Sequence, residues 1–352
     1  MRLQLTLCLL AATAGAQELG PGKGSVTVKG SVYADDDRTL ISTTIVDGEV
    51  GLPGKAHLEA HALLDIISSA SVDVVSAASP RGEFEDARIE AGVQAGMRVA
   101  EPLDLTLGFT TSNEEDWRAL GGQMTWTLDV AKKNGQATLG YGYFYNQVGR
   151  RADPNFSERQ DSHTVEAGYS QLLDKKTVLG VTYTLQVATG FQSSPYRYVT
   201  TAGGASVLEA HPDLRSRHAL TASLLRSLTD RLALESSYRF YGDDWGVLSH
   251  TATAALRIKL GEQWDARLRA RAYYQSAASF WRERYDDVRE TMSVDRELST
   301  FWDAGGGLKV GWHGERWSLD AKVEATYYGF LDFARLASRV AIVTDLGAGF
   351  AW

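Results

Sequence analysis

Side chains of like character recur at every second position along most of this chain, a period that suits strands and leaves no helical periodicity in competition. Ala137, Leu139, Tyr141, Tyr143 and Tyr145 alternate with Thr138, Gly140, Gly142, Phe144 and Asn146. Leu179, Val181, Tyr183, Leu185 and Val187 alternate with Gly180, Thr182, Thr184 and Gln186. Trp264, Ala266, Leu268, Ala270 and Ala272 alternate with Asp265, Arg267, Arg269, Arg271 and Tyr273. No soluble sandwich would bury that last polar face, whereas a hydrated lumen would hold it. The pattern predicts a transmembrane antiparallel up-and-down β-barrel, apolar outside and polar inside.

Both ends of the chain agree with that reading. The run Ile342, Thr344, Leu346, Ala348, Phe350, Trp352 ends on an aromatic, where a soluble domain would fray into solvent. Such an ending resembles the C-terminal insertion signal read by the barrel assembly machinery of the bacterial outer membrane. Met1 to Ala16 carries Arg2, an apolar stretch from Leu5 to Ala12 and the small-x-small site Ala14-Gly15-Ala16. It reads as a signal peptide, with residues 17–352 as the barrel. The single cysteine, Cys8, lies inside it, so the mature chain is expected to have no disulfide, thiolate ligand or Cys nucleophile. An acidic balance, formal net charge -8, gives no footprint for nucleic acid.

About sixteen strands are expected, or fourteen if the first hairpin (Ser25 to Tyr33 and Arg38 to Val46) does not form. Tight turns at Gly51–Gly54, Ala100–Pro102, Lys132–Gly135, Asp174–Lys176, Thr229–Asp230, Gly261–Gln263 and His313–Glu315 alternate with longer polar segments. The longest run from Ser68 to Glu83, Gly149 to Ser162, Thr189 to Pro212 and Ala277 to Glu297. Short periplasmic turns and long outer loops are the asymmetry of outer-membrane barrels, and an even strand count puts both termini in the periplasm. Trp264, Trp312, Trp317 and Trp352 fall on outward phases beside the short turns or the C-terminus, an expected periplasmic girdle against lipid.

Several loop-proximal stretches carry a family resemblance: Tyr33–Asp37, Ile67–Val75, Val148–Pro154, Gly190–Arg197, Tyr241–Gly246 and Glu297–Phe301. In order along the chain they resemble a bacterial barrel family, domain of unknown function 3570. The resemblance implies an outer-membrane β-barrel and no established activity or catalytic residue. It also implies an association with periplasmic flavin-attachment and thioredoxin-like proteins, hence with envelope redox metabolism, which no residue of this chain tests.

The inward phases segregate by charge. One wall is expected to carry His57, Glu59, His61, Asp65, Asp86 and Glu90, and the opposite wall Arg215, Arg217, Arg239, Arg257, Lys259, Arg267, Arg269 and Arg271. Opposed walls would set a transverse field across a pore. Charges that pair inside a plugged barrel would give the same pattern. His57, Glu59 and His61 share a face but step by about 6.6 Å, too far for all three to reach one metal ion. Acidic outer loops form a second cluster: Asp35, Asp36, Asp37, Asp73, Glu83, Glu85, Asp86, Glu114, Glu115, Asp116, Asp243 and Asp244. Close carboxylates suit Ca²⁺, with Asp35 to Asp37 the candidate site, or divalent ions shared with lipopolysaccharide. An outer-membrane hydrolase is not expected: Ser162/His163 and Ser249/His250 point to opposite faces, and no GxSxG elbow or phosphate loop is present.

The expected function is diffusion of small hydrophilic or ionic solutes through the lumen. The alternative is a non-conducting scaffold for a periplasmic or secreted partner, whose mark would be occlusion by the Thr189–Pro212 or Ala277–Glu297 segment.

Overall fold

Sixteen strands close into one antiparallel barrel in the computed structural model, which describes residues 19–69, 84–151 and 153–352. They are β1 (Gly24–Asp35), β2 (Thr39–Leu52), β3 (Ala56–Ser69), β4 (Phe84–Ala100), β5 (Leu103–Asn113), β6 (Trp117–Val130), β7 (Gly135–Gly149), β8 (Ser157–Asp174) and β9 (Thr177–Gly190). A small ribbon, β10 (Tyr198–Thr200) with β11 (Ser206–Leu208), stands apart from the wall. The wall resumes with β12 (Leu214–Thr229), β13 (Leu232–Asp243), β14 (Leu248–Lys259), β15 (Trp264–Gln275), β16 (Phe301–His313), β17 (Trp317–Phe330) and β18 (Ser338–Ala351). Every wall strand pairs with its neighbour in sequence, β9 with β12, and β18 closes on β1. The first hairpin forms, with Val28 opposite Val46. Closure leaves no strand edge with unpaired amides, which lipid could not hydrate.

Period 2 sets the two faces. Leu268 and Leu308 are partners on the outside, while Arg269 and Gly307 are partners on the inside. The four tryptophans all lie outward at the short-turn end, and Trp264 and Trp312 are cross-strand partners.

The opposite rim of the outer face carries a second belt, not anticipated from the sequence. Tyr141 and His163, Tyr183 and His218, and Tyr238 and His250 form three hydrogen-bonded pairs at 2.8, 2.7 and 2.5 Å. Their ring planes are inclined by 33°, 34° and 38°. Each tyrosine sits two residues from the cross-strand partner of its histidine, so one diagonal motif repeats around six contiguous strands. Imidazole on an apolar face is tolerable at the polar boundary, where amphipathic rings concentrate. From His250 to Leu260, whose amide meets Trp264, is about 33 Å of strand, or about 25 Å of height at a tilt of about 40°. That is the height of a lipid-facing band.

Two connections differ from their expected form. β8 begins at Ser157, so the second half of the Gly149–Ser162 segment is strand; the polar outward residues Arg159 and Asp161 hid its alternation. The Thr189–Pro212 segment holds the β10–β11 ribbon. The 331–337 connection, not singled out in the sequence, joins the loop packing. The expected signal peptide and most of the Ser68–Glu83 segment, with Asp73 and Glu83, lie outside the described residues.

The apolar core sits at the loop end, where connections pack on the ends of β16 and β17, not along the barrel's length. Trp245, Val247, Ala278, Trp281, Leu298, Phe301, Phe330 and Phe333 form one buried cluster, and Val199, Tyr285 and Met292 a second.

Candidate functional site: a charged lumen beneath a folded loop cap

The lumen is built from the inward half of each strand. β14 and β15 lie almost diametrically opposite β3 and β4, so the predicted basic and acidic residues do occupy facing walls. They are not left to face each other unpaired. The register of antiparallel strands places a carboxylate beside nearly every cation on its own wall. Arg257 and Arg267 share Glu235, the latter at 2.7 Å. Arg269 meets Glu324 at 2.5 Å, and Arg271 meets Asp303. Arg215 reaches Asp243 at 2.6 Å, and Arg217 donates to Gln186 at 3.0 Å. Arg239 lies within electrostatic reach of Glu166, and Lys259 is the cross-strand partner of Asp265. Sequence reading missed this wall's carboxylates Glu235, Asp303 and Glu324 and its further lysines, Lys29, Lys309 and Lys322. All lie on inward phases, so the phase that found the arginines could have found them.

The facing wall is also internally paired. Arg88 joins Glu90 at 2.8 Å and Asp65 at 4.0 Å. His61 lies between Asp47, at 2.6 Å, and Glu90, at 3.8 Å, while His57 approaches Glu59 at 3.6 Å. The His57-x-Glu59-x-His61 set is thus engaged by separate carboxylates rather than converging on a point.

Solvent access divides the lumen by height. Arg215, Arg339, Asp303, Asp65 and Arg88, towards the loops, are buried, whereas Arg257, Lys309, His57 and Glu59, towards the short turns, are open to water. The lumen widens to solvent at the short-turn end and is packed at the loop end.

The packing at that end is a cap made by loops distant in sequence. Arg296, fully buried in the 276–300 loop, bonds Asp37 in the β1–β2 turn. Arg197 in the 191–213 loop joins Asp295 at 2.6 Å and Glu209 at 3.3 Å. Ser293 donates to Glu209 at 2.8 Å, Ala210 and Met292 exchange backbone hydrogen bonds, and the Arg151 amide donates to the Tyr196 hydroxyl at 2.8 Å. Trp245 lies over the Arg215 guanidinium at 4.1 Å, and its indole N–H donates to the Leu214 carbonyl at 2.9 Å. Arg296 ties a loop rooted at β15 and β16 to the far side of β18, so the 276–300 loop bridges a broad arc of the rim.

The acidic loop residues take structural roles or cluster elsewhere. Asp35 accepts from the Tyr33 hydroxyl at 2.7 Å and the Thr39 amide at 2.9 Å, Asp36 accepts from the Val340 amide at 2.9 Å, and Asp37 holds Arg296. Asp86, Glu114 and Asp116 instead bring carboxylate oxygens within 4.8 Å of one another, with Arg151 near Asp86.

Glu209 and Asp295 carry a pH dependence. Burial pushes both carboxyls up, but the Arg197 guanidinium together with His211, and at Asp295 the Glu297 amide, holds both below the usual range. Since the folded-state values lie below the unfolded ones, this tie contributes fully above about pH 4 and is lost as pH falls through the depressed values. Pepsin should therefore nick the 191–213 and 276–300 loops increasingly below about pH 4, and Glu209→Gln should flatten that dependence. Cleavage independent of pH across that interval would contradict the tie.

Among solved structures, CdiB from Acinetobacter baumannii is similar at TM-score 0.56 and 8% identity, covering 94% of this chain and 60% of that one. A bacterial polysaccharide outer membrane secretin is similar at TM-score 0.52 and 10% identity, covering 96% of this chain and 100% of that one. The siderophore receptor PirA from Pseudomonas aeruginosa aligns at TM-score 0.46 and 12% identity over 89% of this chain and 57% of that one. The chain spans little more than half the length of the siderophore receptors it matches. The likenesses to CdiB and to the secretin show the fold, that of bacterial outer-membrane barrels. Comparison with curated proteins gives no match. The family model described as "Protein of unknown function (DUF3570)" matches residues 25–160 and 150–330, nearly the whole barrel, and the chain belongs to that family.

Proposed function

We propose that this barrel is a conduit in the outer membrane for small hydrophilic or ionic solutes, with its short turns and termini in the periplasm and its loop cap at the outer surface. The observation that carries the proposal is the water-exposed charge on the short-turn half of the lumen: Arg257, Lys309, His57 and Glu59 keep solvent access inside a closed wall. A barrel serving only as a plug would have no use for charge that is paired yet still hydrated. No chemistry is asked of the lumen; selectivity follows from radius and field.

The purified barrel in planar bilayers is expected to conduct. Arg269→Glu puts a second carboxylate beside Glu324, and should move the ratio of anion to cation permeability towards cations by about threefold or more. An unchanged ratio would contradict a field set by this wall.

The interlocked 191–213 and 276–300 loops favour a second reading, a non-conducting scaffold whose cap presents a surface to a partner. Co-purification of a partner with a barrel that seals the bilayer would favour it.

A further inference from the structure

A recess of about 340 Å³ opens in the lumen wall between β15, β16 and β17, lined by Arg267, Arg269, Gly307, Lys309, Lys322 and Glu324. We infer that it is a binding subsite for a compact polyanion, a small molecule bearing two or more carboxylate or phosphate groups. The inference deepens the conduit reading by naming a solute class, and rests on that reading only for the direction of passage.

Three observations carry it. The first is stoichiometry. Glu235 serves both Arg257 and Arg267, Glu324 serves Arg269 and Lys322, and Asp345 serves Lys322 and Lys29. Five cations therefore share three carboxylates, leaving positive charge in surplus along this wall.

The second is depth. In every one of these pairs the cation is more exposed than its acid. Arg257 is 62% exposed against 22% for Glu235, Arg269 33% against 19% for Glu324, Lys29 38% against 3% for Asp345, and Lys309 43% against 29% for Asp320. The facing wall is mostly the reverse: Asp47 is 55% exposed against 33% for His61, and Asp104 33% against 15% for Arg98. A solute entering the lumen meets cations first on one side and carboxylates first on the other. The transverse field thus survives the pairing because the partners lie at different depths.

The third is shape. β16 turns Gly305 and Gly307 inward where other strands carry side chains. A Cβ at Gly307 would strike the Glu324 side chain and the Val323 carbonyl, and one at Gly305 would strike Thr326 and the Ala325 carbonyl. The bare backbone makes room for Glu324 to lie flat against the wall, behind the cations that flank it. The volume equals that of about eleven waters, and guanidinium and ammonium donors around it suit planar or tetrahedral oxyanions.

Titration calorimetry of the detergent-folded barrel with inorganic pyrophosphate and with citrate tests the subsite, with spermine as the cationic control. Pyrophosphate or citrate should bind in low salt, weaken as salt rises, and lose about tenfold or more in affinity in Lys309→Gln and in Arg269→Gln. Lys309→Gln removes only a surface-type pair, so it should leave the barrel folded by circular dichroism. Binding of neither anion, or binding unaffected by both substitutions, would overturn the subsite. In bilayers the same anions should reduce chloride current in the wild type and not in Lys309→Gln. A conducting barrel that neither binds nor is blocked would refute the subsite and spare the conduit; a sealed barrel that binds pyrophosphate would do the opposite.

Discussion

Replacing Arg296 with Met should detach the 276–300 loop from the β1–β2 turn at a cost of about 3–5 kcal/mol, while the barrel strands stay paired. Arg296 and Asp37 are both almost wholly buried, and removing the guanidinium takes the opposite charge from a carboxylate held away from water. The loss falls on the cap because this side chain joins one connection, the 276–300 loop, to another, the β1–β2 turn. Hydrogen exchange should show faster amides in the 276–300 loop and unchanged protection in β14 to β17. Adding Asp37→Asn should restore part of the loss, since the buried charge that Arg296 balanced goes with it. Equal protection of the loop in the wild type and Arg296→Met would mean that the ion pair is incidental.

Trp245→Ala should be as damaging, by about 3–5 kcal/mol, through a different mechanism. The indole packs edge-on against His211 and against Phe280, both at 5.1 Å between ring centres, and covers Arg215. Truncation opens a cavity in the larger loop cluster, breaks the bond to the Leu214 carbonyl and uncovers a buried cation. Trp245→Phe keeps most of the volume and loses chiefly the N–H bond, so it should cost only about 1 kcal/mol. Thermal unfolding followed by near-ultraviolet circular dichroism would separate the two. Similar losses for Phe and Ala would indicate that the hydrogen bond, not packing, holds the loop.

Much of the wall was legible in the residues because a strand has one rule. Once Leu268 is outward, Arg269 is inward, and one aromatic terminus fixes the phase of the last strand. The count of sixteen strands followed from turns such as Gly261–Gln263. Charge placement was legible only in part. Inward Arg267, Arg269 and Arg271 stood out as a ladder, but Glu235 and Glu324 lie on neighbouring strands, and their closeness depends on cross-strand register. The Tyr–His belt and Arg159 with Asp161 broke the apolar-out rule at the membrane boundary, which disguised the start of β8.

The cap was not legible. Arg296 meets Asp37 across more than two hundred residues of chain, and Trp245 meets Phe280 between different loops. No periodicity encodes such contacts; tertiary packing alone creates them. The roles of Asp35 to Asp37 in capping a turn and holding loops were not legible either, since their partners Val340 and Arg296 lie far along the chain.

The conduit reading depends on whether solute crosses the cap, and a single measurement addresses that most directly. Purified, folded barrel inserted into a planar bilayer should give discrete conductance steps, larger and noisier in Arg296→Met, where the cap is released. A bilayer that stays sealed with both the wild type and Arg296→Met would contradict the account.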